Sequence, residues 1–213
     1  MPVYQQINEK MLEVQLNNEE LYAKKGARIS YQGQVAFSRS FLAGQGVQSL
    51  AMRAVTNEGY ALMAGQGTGK VYYAYDGLFV TIIPVRNETL YVESEVLLAF
   101  DARLTAGTMF LGNQGGVQGI VRGAVSGQGL FTTTLQGNGE VAILSDGNAI
   151  GLLVTPDVPV CVDPQAYIGH SGSLSSAIVT DLNWKTFVGQ ASGESYQMKF
   201  SGSGTVYIQA SER

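Results

Sequence analysis

One short element recurs three times and restricts the fold more than any other feature. It reads Gly67-Thr68-Gly69-Lys70-Val71-Tyr72, then Gly137-Asn138-Gly139-Glu140-Val141-Ala142, then Gly202-Ser203-Gly204-Thr205-Val206-Tyr207. Each copy is Gly-x-Gly-x-Val between stretches rich in aromatic and β-branched residues, the composition that sheets favour. Glycine supplies positive φ and close backbone approach, so the motif reads as the bulged turn of a hairpin. The hairpins run from Gly59 to Gly67, from Gly129 to Gly137 and from Gly193 to Gly202. Val71, Val141 and Val206 are expected on equivalent strands.

The preceding sequence repeats as well. Leu12, Val14 and Leu16 alternate with Glu13 and Gln15, the period of a strand with one buried face. Asn17-Asn18-Glu19-Glu20 is turn-like, and Leu21-Tyr22-Ala23 followed by Gly26–Tyr31 then reads as a hairpin-like strand pair. Tyr22, Val92 and Val162 stand at steps of 70 residues, at the head of similar polar and apolar patterns. Asp76-Gly77 and Asp146-Gly147 mark turns after the first two units. Gly/Gln-rich connections recur at 43–48 and 112–118, with a divergent third copy at 183–190, and are read as structural.

These features predict an all-β chain, a single domain of three pseudo-symmetric β repeats covering approximately 1–70, 71–140 and 141–213. One unit cannot bury both faces of its strands, so the three share a core in a sandwich- or prism-like arrangement. No long helical period is present, and any helix is expected to be one or two turns.

Composition limits the function. Charged residues are only 14% of the chain and the net charge is −4, with 13 basic residues, which disfavours an electrostatic grip on nucleic acid. The longest apolar stretch, Ala149–Val154, is too short to span a bilayer. The N-terminus lacks the form of a signal peptide, and Cys161 is the only cysteine, so a cytoplasmic location is expected. Cys161 lies in the apolar run Val158–Val162 and reads as a buried, unreactive thiol.

The sequence presents no catalytic, cofactor-binding or metal-binding residue. Gly65–Lys70 lacks the spacing and the Ser or Thr of a phosphate loop. His170 has Ser171, Ser173, Ser175, Asp163 and Asp181 within arithmetic reach, but no nucleophile elbow surrounds it, and a solvated or hydrogen-bonded loop histidine is expected. Glu93 and Glu95 read as solvated edge charges on one strand face. Arg28, Arg39, Arg53, Arg86, Arg103 and Arg122 are scattered, and of Tyr72, Tyr73 and Tyr75 half are expected in the core. Asn87-Glu88-Thr89 would be a glycosylation sequon only in a secretory context.

Leu12-x-Val14-x-Leu16, Ala23-x-x-Gly26-Ala27, the repeated Gly-x-Gly-x-Val and the closing Gly202–Gln209 together resemble the altered-inheritance-of-mitochondria protein 24 family over nearly the whole chain. The resemblance implies a β-rich fold of three repeats, similar in strand arrangement to the tryptophan RNA-binding attenuation protein. It implies a family widespread in bacteria whose mitochondrial members are associated with inner-membrane architecture, and it brings no catalytic motif. The resulting expectation is a non-catalytic structural or interaction protein acting as a homo-oligomer, with an unidentified protein partner possible. A nucleic-acid-binding module, or a small-ligand binder with a pocket between repeats, are the alternatives.

Overall fold

Four long antiparallel ladders, each including a strand that contains the Gly-x-Gly-x-Val motif, organise the computed structural model. It describes residues 1–40, 62–110, 131–179 and 197–211. The strands are β1 (Val3–Asn8), β2 (Met11–Lys24), β3 (Arg28–Ser40), β4 (Leu62–Tyr73), β5 (Phe79–Glu93) and β6 (Leu97–Asp101), then β7 (Thr105–Phe110), β8 (Phe131–Ser145), β9 (Ile150–Val154), β10 (Val160–Val162), β11 (Tyr167–Val179) and β12 (Gln197–Ile208). A single 3-10 turn at Ser94–Val96 is the only helical element among the described residues. The chain is all-β, as its composition and period demand.

The strands form one sheet in the order β10-β12-β11-β5-β8-β6-β2-β4-β3, with β1 added to β2, β7 to β8 and β9 to β12. Each motif strand lies between two others. β4 is flanked by β2 and β3, β8 by β5 and β6–β7, and β12 by β9–β10 and β11. The sheet turns back on itself: Gln6 Nε2 donates to the Val80 carbonyl and the Val80 N–H donates to the Glu9 carbonyl, both at 2.8 Å. The enclosed face holds Leu12, Val14, Val71, Leu90, Phe100 and Val141, all wholly buried. A second cluster packs Val154, Val162, Tyr167, Met198, Phe200 and Val206 within β9–β12. Val71, Val141 and Val206 are each fully buried and pair with Val14, Ile83 and Leu152.

Several local expectations are corrected. The motif glycines are not at a hairpin turn; they lie inside β4, β8 and β12. The glycine conformations and close approach are there, but pairing on both sides keeps the strand running. The hairpin expected between β2 and β3 is absent, because β4 lies between them. Asn17–Glu20 is not a turn either. β2 is continuous and bulges at Asn18, whose φ is 57° and whose N–H donates to Thr68 Oγ1 at 3.0 Å. The extra residue changes the parity of the strand, so Leu16 and Leu21 both face inward. β5 does the same at Asn87, φ 55°, bringing Val85 and Leu90 to one side. Asparagine tolerates this left-handed conformation better than most residues.

The step of 70 residues is also adjusted. Tyr22 pairs with Ala64, Tyr91 with Thr134 and Cys161 with Lys199, each partner three residues before the first motif glycine. The position matching Tyr22 is therefore Tyr91 rather than Val92, and Cys161 rather than Val162. Asp76 and Gly77 do form a tight turn, with φ of 50° and 69° and the Leu78 N–H donating to the Tyr75 carbonyl at 3.0 Å. The Gly/Gln-rich connections at 43–48, 112–118 and 183–190 lie outside the described residues.

Candidate interaction surface

Polar side chains gather around the buried Asp101 carboxylate as the Arg103–Asp101 ion pair beside Tyr4 and Glu140, and the surface that the sheet leaves open is apolar and lies on its end strands. β3 ends the strand path, and Arg28 through Gln32 are exposed along it. Ile29 and Tyr31 are 58% and 49% exposed, which is high for side chains of this size. The Arg28 guanidinium lies 4.0 Å from the Phe37 ring centroid, and Tyr31 meets Phe37 edge-on at 5.1 Å. That cation–π and aromatic clip holds the three side chains in one patch. At the other end of the sheet, β9 and the turn before β10 expose Ile150, Leu153 and Val158.

Two interior junctions have the opposite character. β2 meets β6 over three residue pairs centred on Tyr22 and Phe100, whose rings lie 5.4 Å apart. β5 meets β11 over three pairs centred on Tyr91 and His170, whose rings stack 4.5 Å apart at 7°. His170 is buried, and its Nδ1 is 2.6 Å from the Tyr167 hydroxyl. Burial pushes its pKa down to about 4, so the ring is neutral near pH 7.

His170 is not in a loop; it sits within β11, hydrogen-bonded and enclosed by Tyr91, Tyr167 and Phe200. Ser171 beside it is buried, the Ser175 hydroxyl donates to the Ser201 carbonyl, and Asp163 accepts the Gln165 N–H, so these groups do not converge on the imidazole. Asp181 lies outside the described residues, as do Arg53 and Arg122. Lys70 donates to Glu13 Oε1 at 2.9 Å, and this bond holds the Glu13 carboxyl below its usual range. Tyr73 is buried and Tyr72 half-buried.

Two expectations are overturned. Cys161 is exposed, not buried. It lies in β10 between half-buried Val160 and buried Val162, and strand alternation turns it outward. Glu93 and Glu95 are not a pair of solvated strand charges, because β5 ends at Glu93, which is buried, and Glu95 belongs to the 3-10 turn. The Lys24 ammonium donates to the Glu95 carbonyl at 2.7 Å. The Arg28–Tyr31–Phe37 patch went unrecognised in the sequence; the period-two run Tyr31, Val35, Phe37 was its only signal.

No group of three or more His, Cys, Asp or Glu that could hold a metal ion occurs among the described residues. No helix there is long and apolar enough to cross a membrane.

Among solved structures, the fold is similar to the crystal structure of a Streptococcus pyogenes protein from a structural genomics programme. The TM-score is 0.70 at 18% identity, covering 100% of this chain and 94% of that one. At that identity the likeness concerns the fold alone. No curated protein matches the sequence. The model of the family described as Mitochondrial biogenesis AIM24 matches residues 3–211, essentially the full length of the strand pattern described above. The chain belongs to the Mitochondrial biogenesis AIM24 family.

Proposed function

We propose that this chain is a non-catalytic structural or interaction protein that works as a homo-oligomer. The observation that supports this most is the pair of end strands. Ile29 and Tyr31 at one end, and Leu153 and Val158 at the other, leave large apolar side chains beside sheet edges. Such edges are a ready template for another strand unless charge or cover blunts them. We read the three motif strands β4, β8 and β12, with their neighbours, as the centres of pseudo-symmetric repeats, approximately 1–70, 71–140 and 141–213, within one domain. A reducing compartment such as the cytoplasm suits the exposed free thiol of Cys161.

The Arg28–Tyr31–Phe37 patch gives a nucleic-acid-binding reading its one foothold, since bases stack on aromatic and guanidinium planes. The net charge of −4 weighs against it, as does the Arg28 guanidinium already lying over the Phe37 ring. Light scattering of the purified chain, together with chromatography on heparin, separates the two. Association that strengthens with concentration and no salt-dependent retention are expected. Tight retention by a monomer would replace this reading with the nucleic-acid one.

A further inference from the structure

The two interior junctions define a rule, and a third pair of strands satisfies it without having met. Phe100 on β6 pairs with Val141, His170 on β11 with Val206 and Tyr31 on β3 with Val71. Those valines hold the same place in the three motif copies, so Phe100, His170 and Tyr31 are equivalent positions. On the other side of each junction, Tyr22, Tyr91 and Cys161 are equivalent by their partners' distance from the motif glycine. Tyr22 faces Phe100, and Tyr91 faces His170. The remaining combination is Cys161 with Tyr31, yet both are exposed and β10 and β3 are the two ends of the sheet among the described residues.

We propose that β10 of one copy pairs antiparallel with the N-terminal half of β3 of a second copy, with Cys161 opposite Tyr31. This assigns the interface of the oligomer proposed above and rests on that reading. The register is inherited from the interior junctions: Val160 falls opposite Gln32 and Val162 opposite Ser30. Pro159 and Pro164 lack the N–H needed to extend the ladder, so the pairing stops after β10. Three residue pairs is also the length of each interior junction. Docking would cover Tyr31 and Ile29 as Phe100 and His170 are covered within the chain. The contact uses different surfaces on the two copies, so it is head-to-tail and propagates into a ring or a filament.

The single cysteine makes the register measurable. A chain carrying Tyr31→Cys and Cys161→Ser is mixed with the wild type and mildly oxidised, so any disulfide between positions 31 and 161 must join two chains. Directly opposed strand residues lie within the Cα separation that a disulfide spans. The expected result is a linked dimer at positions 31 and 161, formed at least ten times faster than with a Glu9→Cys, Cys161→Ser chain. Both substituted positions are exposed, and thermal melting verifies that the variants fold. Sedimentation on the same samples separates two failures. Association without the 31–161 link would overturn this interface and leave the oligomer reading standing. Monomers at every concentration would overturn both. A Tyr31→Cys chain that retains Cys161 and links within itself at 22.7 kDa would also overturn the proposal, by closing the third junction inside one molecule.

Discussion

Gly33 of β3 and Gly69 of β4 face each other across their ladder, backbone against backbone. A Cβ on Gly33, whose φ is 96°, would stand 2.6 Å from the Thr68 carbonyl oxygen and 2.8 Å from the Gly69 Cα. Gly172 and Gly204 repeat the arrangement between β11 and β12, with φ of 89° at Gly172 and corresponding distances of 2.6 and 2.7 Å. The first and third copies of the motif thus supply one half of a close glycine–glycine approach, whereas Gly139 of the second copy pairs with Val85 and a Cβ there would meet the Asp101 and Leu104 side chains.

Alanine at Gly33 or Gly172 is expected to destabilise the protein by about 3 kcal/mol, since it adds a backbone clash to a strained φ. Gly26 also has a positive φ, 85°, but nothing within 4 Å of a built Cβ, and its alanine variant should cost only about 1 kcal/mol. Urea unfolding of the three variants checks the order; equal losses would mean that conformation alone, and not the paired approach, demands glycine.

His170 makes stability depend on pH. Its folded pKa is about 4, against about 6.5 when unfolded, so the unfolded chain binds more protons between those values. Its contribution is complete above pH 6.5, falls as pH drops toward 4 and then levels, a loss of about 3 kcal/mol. His170→Phe, which places at this position the residue found at the matching Phe100, should flatten that part of the stability curve. Unchanged dependence between pH 6.5 and 4 in the variant would assign the effect to other groups.

The Tyr4 hydroxyl is buried and has no hydrogen-bond partner among the described residues. Burial, then the nearby Asp101 carboxylate, pushes its pKa well up. Tyr4→Phe should leave stability unchanged or raise it by about 1 kcal/mol, because it removes an unmet polar group without changing the ring. A loss of similar size in thermal or urea unfolding would mean that the hydroxyl has a partner.

Arg103 holds the buried Asp101 carboxylate through Nε, shared between Oδ1 at 3.0 Å and Oδ2 at 3.2 Å, and through Nη2 at 2.5 Å, while its own backbone N–H adds a bond to Oδ1 at 3.0 Å. Arg103→Ala keeps only the last of these and is expected to cost about 2 kcal/mol, less than a fully buried pair because the guanidinium is half exposed. Unfolding at low and high salt checks it: the loss should persist at high salt, and a loss abolished by salt would mark the pair as a surface interaction.

The sequence conveyed strand content and the inward alternation of Leu12, Val14 and Leu16, because each follows from local period and residue type. Its errors have a common physical source. Gly-x-Gly supports both a turn and a close strand crossing, and which one forms depends on partners far along the chain, here Gly33 for Gly69. Asn18 looked like part of a turn because asparagine favours left-handed conformations, which a mid-strand bulge uses equally well. Cys161 was placed by its apolar neighbours, whereas its face is set by pairing with Lys199, between Val160 opposite Phe200 and Val162 opposite Met198. The Tyr31 surface required knowing that β3 ends the sheet, a fact of strand order to which local pattern is blind.

Sedimentation equilibrium of the native chain at increasing micromolar concentration tests the central claim of self-association most directly. The expected result is a mass that rises above 22.7 kDa with concentration, and that returns toward 22.7 kDa when Tyr31 is replaced by Glu. A native chain that stays at 22.7 kDa throughout the series would contradict it.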